Sequence, residues 1–141
     1  MLIVYEGIDG SGKTTSSQTL CMDLKAAGHR VKLVQWTSFQ PRPDEKDNSL
    51  FERAERKREN ASLGPLSYAL WHCADLAYRL EKFMNPAFER GEIVVMDRYK
   101  YTAFVRDVIR GIDESMVQSW YRFAPDPDVV IYLDVDRKSV V

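Results

Sequence analysis

Gly7-Ile8-Asp9-Gly10-Ser11-Gly12-Lys13-Thr14 decides the fold of this chain. The stretch fits the pattern of a glycine, any four residues, then glycine, lysine and serine or threonine, a loop that cradles phosphates. Its flanks agree: Leu2-Ile-Val-Tyr5 is a short apolar run of β type, and Lys13 onward reads as helix. Strand, glycine loop and helix is the order that phosphate binding requires. Gly7, Gly10 and Gly12 open backbone angles closed to other residues, so amide N–H groups can crowd round phosphate oxygens. The positive end of the following helix adds to that anion site. Ser11 and Thr15 lie in the same cradle. Lys13 is placed to reach the β- and γ-phosphates and the Thr14 hydroxyl to ligate Mg²⁺, so ATP with Mg²⁺ is the expected guest. Asp9 is an acid inside an anion-binding loop. It is either a turn residue bonded to its own backbone or a side chain aimed away from the phosphates towards a second substrate.

Composition bounds the rest. At 141 residues the sequence is expected to form one α/β domain, with 45% hydrophobic and 29% charged residues, in the usual globular range. A net charge of −1 makes no electrostatic case for nucleic acid or an acidic membrane surface. Cys21 and Cys73 are far apart, belong to no C-x-x-C pair, and are expected to be buried thiols in helices. The N-terminus carries no basic segment and too short an apolar run for a signal peptide, which makes the cytoplasm the expected location.

After the loop, residues 13–27 are predicted helical, with Leu20, Leu24 and Ala27 on one face and Gly28 as the stop. Val31 to Trp36 is a second strand, so the opening is a right-handed parallel crossover. Thr37 to Asn48 reads as a loop and Glu45 to Asn60 as a solvated, charged helix, from which Arg42, Arg53, Arg56 or Arg58 could reach a phosphate. Leu66 to Arg90 is a long helical region, with Leu70, Cys73, Ala77 and Leu80 on its apolar face and a bend at Pro86. Ile93 to Met96 is a third strand, followed by helices to Arg110 and from Asp113 to Phe123. Val129 to Val135 is the fourth strand, and its β-branched and aromatic run implies burial on both faces. Strands alternating with helices predict a three-layer α/β/α fold.

Asp97 ends the third apolar strand, at the sheet edge where such folds bind ligands. It is a candidate to hold Mg²⁺ opposite Thr14, with Arg98 beside it to clamp an acceptor phosphate. Lys13, Asp97 and Arg98 thus form the candidate catalytic set.

Tyr5 to Thr15, Met96-Asp-Arg-Tyr99 and Pro127 to Val135 together resemble the thymidylate kinase family; Ala74-Asp75 and Pro86 fall at that family's spacing too. The resemblance implies a parallel five-stranded sheet and phosphate transfer from Mg·ATP to a nucleoside monophosphate. It also implies that Asp9 lies near the acceptor sugar and Arg98 on the acceptor phosphate. His72 matches the aromatic that stacks on the base, with Trp71 adjacent, and Thr102 falls where the family has a serine. The chain also departs from the family. Gln35-Trp36-Thr37 replaces an Arg-Glu-Pro turn, and Leu76 replaces the base-reading arginine, with Arg79 on roughly the same helix face as a substitute. Arg106 and Asp107 replace Tyr-Gln, as substrate contacts or as a surface pair. A relative acting on another acceptor is one expectation. Others are a nucleoside kinase with Asp9 or Glu6 as base, and a regulatory module that binds ATP without transfer. Family members continue past Val141, so the arginine-bearing lid and last strand are expected to be missing, leaving an edge that favours a homodimer.

Overall fold

The central strand is β1, Leu2–Gly7. Its apolar residues serve both faces of the sheet, which is what a strand flanked on two sides and covered twice requires. A computed structural model describes residues 1–35, 64–136 and 138. Among them, β1 is joined by β2 (Val31–Gln35), β3 (Ile93–Asp97) and β4 (Val129–Leu133). All pairs are parallel, in the order β2-β3-β1-β4. The expected Trp36 end of β2, the loop from Thr37, the charged helix to Asn60 and Arg42, Arg53, Arg56 and Arg58 lie outside the described residues.

Register matters most for the site. Tyr5 pairs with Asp97, Gln35 with Asp97 and Gly7 with Leu133, so the strands finish along one edge. The glycine loop after β1 and the Asp97-Arg98 pair after β3 therefore leave neighbouring strands side by side.

Helix α1 (Lys13–Ala26) covers one face, with Cys21, Leu20 and Leu24 against Ile3, Tyr5 and Val95. Ala27, expected on this face, is an exposed cap, and Gly28 takes the positive φ that ends the helix. The other face carries α2 (Pro65–Arg79), α3 (Asn85–Glu89), α4 (Lys100–Ile109) and α5 (Glu114–Trp120) over Leu2, Val4, Val94 and Met96. The result is the expected three-layer arrangement.

Two expectations change. The buried residues of α2 are Ala69, His72, Asp75, Leu76 and Arg79, whereas Leu70 is 45% exposed. Of the expected apolar face, Leu80 is in the core, Cys73 packs against it and Ala77 is half-buried, so only Leu70 falls outside; the buried side also takes in a histidine, an aspartate and an arginine that apolar periodicity did not mark. Between α2 and α3, Leu80–Met84 forms a single π-helical turn, with the Asn85 N–H on the Leu80 carbonyl. Pro86 lies just beyond, and the wide turn absorbs the mismatch a proline brings to a helix. The other change is β4. Val130 is 47% and Tyr132 63% exposed, so this strand is not buried on both faces. Among the described residues it pairs only with β1, and Ile131 and Leu133 are its residues that pack on the cluster beneath α1.

Candidate active site

The glycine loop is shaped by backbone angles that side chains resist. Gly7, Gly10 and Gly12 have φ of 145°, 79° and 91°. A Cβ on Gly7 would stand 2.8 Å from the Leu133 carbonyl oxygen and 2.9 Å from Ser11 Oγ, so this position also needs glycine for space. Gly12 caps α1 without a side chain, leaving the helix's first N–H groups to an anion. Lys13 is buried and folds back over the loop, its Nζ donating to the Ile8 carbonyl at 2.5 Å and to Ser11 Oγ at 3.2 Å. Burial, then the nearby Arg98 guanidinium, lower its pKa, opposed by Asp97, Asp9 and Glu6. The lysine is thus a desolvated cation held against carbonyl oxygen, ready for a stronger anion.

Thr14 and Asp97 meet as the register requires: Thr14 Oγ1 donates to Asp97 Oδ2 at 2.5 Å. Both line an open cavity of about 460 Å³ with Asp9, Gly10, Gly12, Lys13, Thr15 and Arg98. A hydroxyl and a carboxylate side by side are hard oxygen donors that suit Mg²⁺ better than a softer metal. Among the described residues no cluster of three or more His, Cys, Asp or Glu could hold a metal. This sparse donor set fits an ion that keeps waters and shares phosphate oxygens.

Arg98 has φ of 71°, the one positive value outside glycine among the described residues. Its N–H still donates to the Tyr5 carbonyl at 2.9 Å, so β3 pairs with β1 up to the point where the chain turns. The turn brings the guanidinium back over the loop, where Nη1 reaches the Gly7 carbonyl and Nη2 the Asp9 carboxylate. Strain of this kind persists where surrounding contacts over-determine it. Those contacts come from Glu6. Its buried carboxylate accepts from the Tyr99 N–H at 2.9 Å and the Thr102 hydroxyl at 2.6 Å, tying the start of α4 to β1. Burial raises the Glu6 pKa against these stabilising bonds and the charge of Arg98. Tyr99 itself is fully buried, its hydroxyl on the Pro125 carbonyl.

A second, larger cavity of about 830 Å³ adjoins the first and shares Asp9 and Arg98 with it. Thr102 and Arg106 of α4 line it, with Tyr101, Val105 and Tyr132 among the apolar walls. Arg106 reaches Asp9 across this space, Nη2 to Oδ2 at 3.4 Å. Asp107, its sequence neighbour, is buried and bonded to Arg110, so the two residues have different surroundings.

The candidates on α2 are placed elsewhere. Trp71, His72 and Arg79 line neither cavity. His72 packs edge-on to Tyr68, with ring centroids 4.6 Å apart, and against Trp71. Arg79 is fully buried, pairs with Asp75 at 3.0 Å, and donates from Nη1 to the Gln35 carbonyl at 2.8 Å, where it holds the end of β2. Leu76 lies in the core with Val4, Val34 and Met96. The role of Glu6 as a staple had no signal in the sequence beyond its place at the end of an apolar strand. Both cysteines are free thiols, Cys21 buried and Cys73 partly so. No helix among the described residues is long and apolar enough to cross a membrane.

A parallel sheet with this loop after its central strand, and an acid at the end of the neighbouring strand, defines a phosphate-binding α/β protein of the P-loop class. The thymidylate kinase family model matches residues 5–140, and the chain belongs to that family. It is 35% identical over 135 residues to "Probable thymidylate kinase 2" of Saccharolobus solfataricus, covering 96% of this chain and 59% of that protein. The thymidylate kinase of Trichlorobacter lovleyi is 32% identical, with 95% of this chain and 63% of that protein covered. A crystal structure of thymidylate kinase from Ehrlichia chaffeensis superposes with a TM-score of 0.75 at 28% identity, covering 99% of this chain and 74% of that one. The chain thus spans roughly three-fifths of the length of the two sequence relatives.

Proposed function

We propose that the chain transfers phosphate from ATP to a nucleoside monophosphate, as the names of its relatives suggest. The observation that supports this most is the shared wall: the loop cavity and the larger cavity meet at Asp9 and Arg98. A donor phosphate in the first and an acceptor in the second would be adjacent, with Arg98 between them. In-line transfer needs positioning and charge, with little covalent work from the protein.

The geometry supports a role for each residue. The loop amides and the N-terminus of α1 would hold the donor phosphates. Lys13 would leave the Ile8 carbonyl for the β- and γ-phosphate oxygens, since a charged acceptor gives the stronger bond. Thr14 and Asp97 would hold Mg²⁺, which supplies positive charge to the same oxygens. Arg98 would orient the acceptor phosphate. The nucleoside kinase alternative gains nothing from Glu6, because both its oxygens are already bonded and it is buried.

The test is ADP formation by the 141-residue chain with Mg·ATP, across nucleoside monophosphates and nucleosides, with Lys13→Ala as the blank. Turnover dependent on a monophosphate acceptor and lost in Lys13→Ala is the expected result. Equal turnover in Lys13→Ala would remove the loop from the mechanism, and turnover with nucleosides alone would move the reaction to the sugar hydroxyl.

A further inference from the structure

Asp9 carries one negative charge, and two guanidiniums share it. Arg98 Nη2 binds Oδ1, and Arg106 Nη2 lies 3.4 Å from Oδ2. The two arginines come from different elements, the end of β3 and the second turn of α4, and they converge on one oxyanion. Arg110, one turn beyond Arg106, is committed elsewhere: its guanidinium stacks 4.4 Å from the Tyr68 ring centroid and donates to Asp107. Arg106 is therefore the arginine of α4 that reaches the loop. Its pKa is lowered by burial and by Arg98 and raised by Asp9, as expected for two cations crowded on one anion. Within this trio the carboxylate leaves one positive charge over, although Glu6 also faces Arg98 and Asp107 also faces Arg106. A phosphate monoester dianion would match both arginines and offers more acceptor oxygens in fork geometry. The Asp9 side chain is 81% exposed, so release into water would cost it little.

We infer that Arg106 is a second arginine of the acceptor-phosphate site, with Asp9 as an internal counter-ion that a phosphate monoester dianion displaces. This rests on the proposed transfer reaction and adds a specificity determinant to it: the larger cavity selects acceptors bearing a terminal dianionic phosphate over unphosphorylated nucleosides. The family resemblance places a tyrosine at this position, so this selection belongs to this chain's own residue.

Calorimetric titration of the 141-residue chain with thymidine monophosphate and with thymidine tests it, with the loop saturated by Mg·ADP. Arg106→Gln should weaken monophosphate binding by about tenfold to a hundredfold, the range for one charge-assisted hydrogen bond, and leave thymidine binding unchanged. Arg106→Lys should fall between, since it keeps charge and loses the fork. It also serves if the glutamine variant folds poorly by circular dichroism. Arg122→Gln makes the same charge change at an exposed position and should have no effect. With inorganic phosphate as probe, Asp9→Asn should bind tighter than the parent chain. Equal loss for thymidine and its monophosphate, or unchanged monophosphate affinity in Arg106→Gln, would overturn the inference. The latter combined with normal turnover would leave the transfer reaction standing. A parent chain that binds Mg·ADP and no monophosphate would overturn both. Phosphate affinity unchanged in Asp9→Asn would remove the counter-ion.

Discussion

Replacing Arg98 by glycine and by alanine separates the strain at this residue from its chemistry. Both changes delete the same guanidinium contacts, to Asp9 and to the Gly7 carbonyl. Both keep the N–H bond to Tyr5. They differ in the backbone, because only glycine is at ease at φ of 71°. A side chain in the left-handed region costs about 1–2 kcal/mol. Against that, glycine loses about 0.4–1 kcal/mol through the freedom of its unfolded chain. Arg98→Gly should therefore be more stable than Arg98→Ala by about 0.5–1 kcal/mol. Urea unfolding reads this directly: with a slope of about 1–3 kcal/mol/M, the midpoints should differ by a few tenths of a molar unit, with equal slopes. Both variants should lose monophosphate-dependent turnover alike, by about tenfold or more in kcat/KM. An alanine variant as stable as the glycine variant, or more so, would refute the claim that the turn after β3 stores strain to aim Arg98. Unequal turnover would show that the backbone, as well as the guanidinium, carries part of the effect.

Gly7→Ala combines a positive φ with a Cβ placed 2.8 Å from a β4 carbonyl. It should cost about 2–5 kcal/mol in urea unfolding and weaken Mg·ATP binding. Gly28→Ala, with a positive φ and open space around the Cβ, should cost about 1 kcal/mol and leave nucleotide binding unchanged. For Glu6, burial raises the folded pKa above the 4.5 of the free side chain. Its stability contribution is therefore fully present below that value and lost as pH rises through the folded pKa. Parent stability relative to Glu6→Gln should fall as pH is raised from about 4.5 to neutrality, and a rising difference would reverse the sign of the argument. Asp97→Asn should keep the fold and the bond to Thr14 while turnover drops and the Mg²⁺ requirement for ATP binding weakens, measured by titration at several Mg²⁺ concentrations.

Much of the glycine loop's geometry was legible in the primary structure because it is local. The glycine loop, Lys13 and Thr14 occupy consecutive positions, and their arrangement follows from the glycine backbone angles and from the start of a helix. Asp97 was legible at one remove, since an apolar strand ending in an acid points to the edge where parallel sheets bind ligands. The larger cavity was legible in part: Asp9, Arg98 and Thr102, singled out in the sequence, line it, and the candidates on α2 do not. Trp71, His72 and Arg79 sit at suggestive spacings on α2, yet Arg79 turns inward to Asp75 and the end of β2. For Arg106 and Asp107 the sequence left substrate contacts and a surface pair equally open; Asp107 is buried, while Arg106 lines the larger cavity and reaches Asp9 across it. Which way a polar side chain on a helix points depends on what the opposite element offers, and periodicity does not report that.

The sequence by itself determined the layer architecture, the parallel sheet and the phosphate loop, because alternating apolar strands, helices and glycines act through neighbours along the chain. Tertiary structure alone decided that Glu6 staples α4 to β1, that Arg98 bends back over the loop, and that Asp9 draws two distant arginines together. Those outcomes depend on hydrogen bonds and charges between residues roughly ninety positions apart, set by the register of β1 against β3.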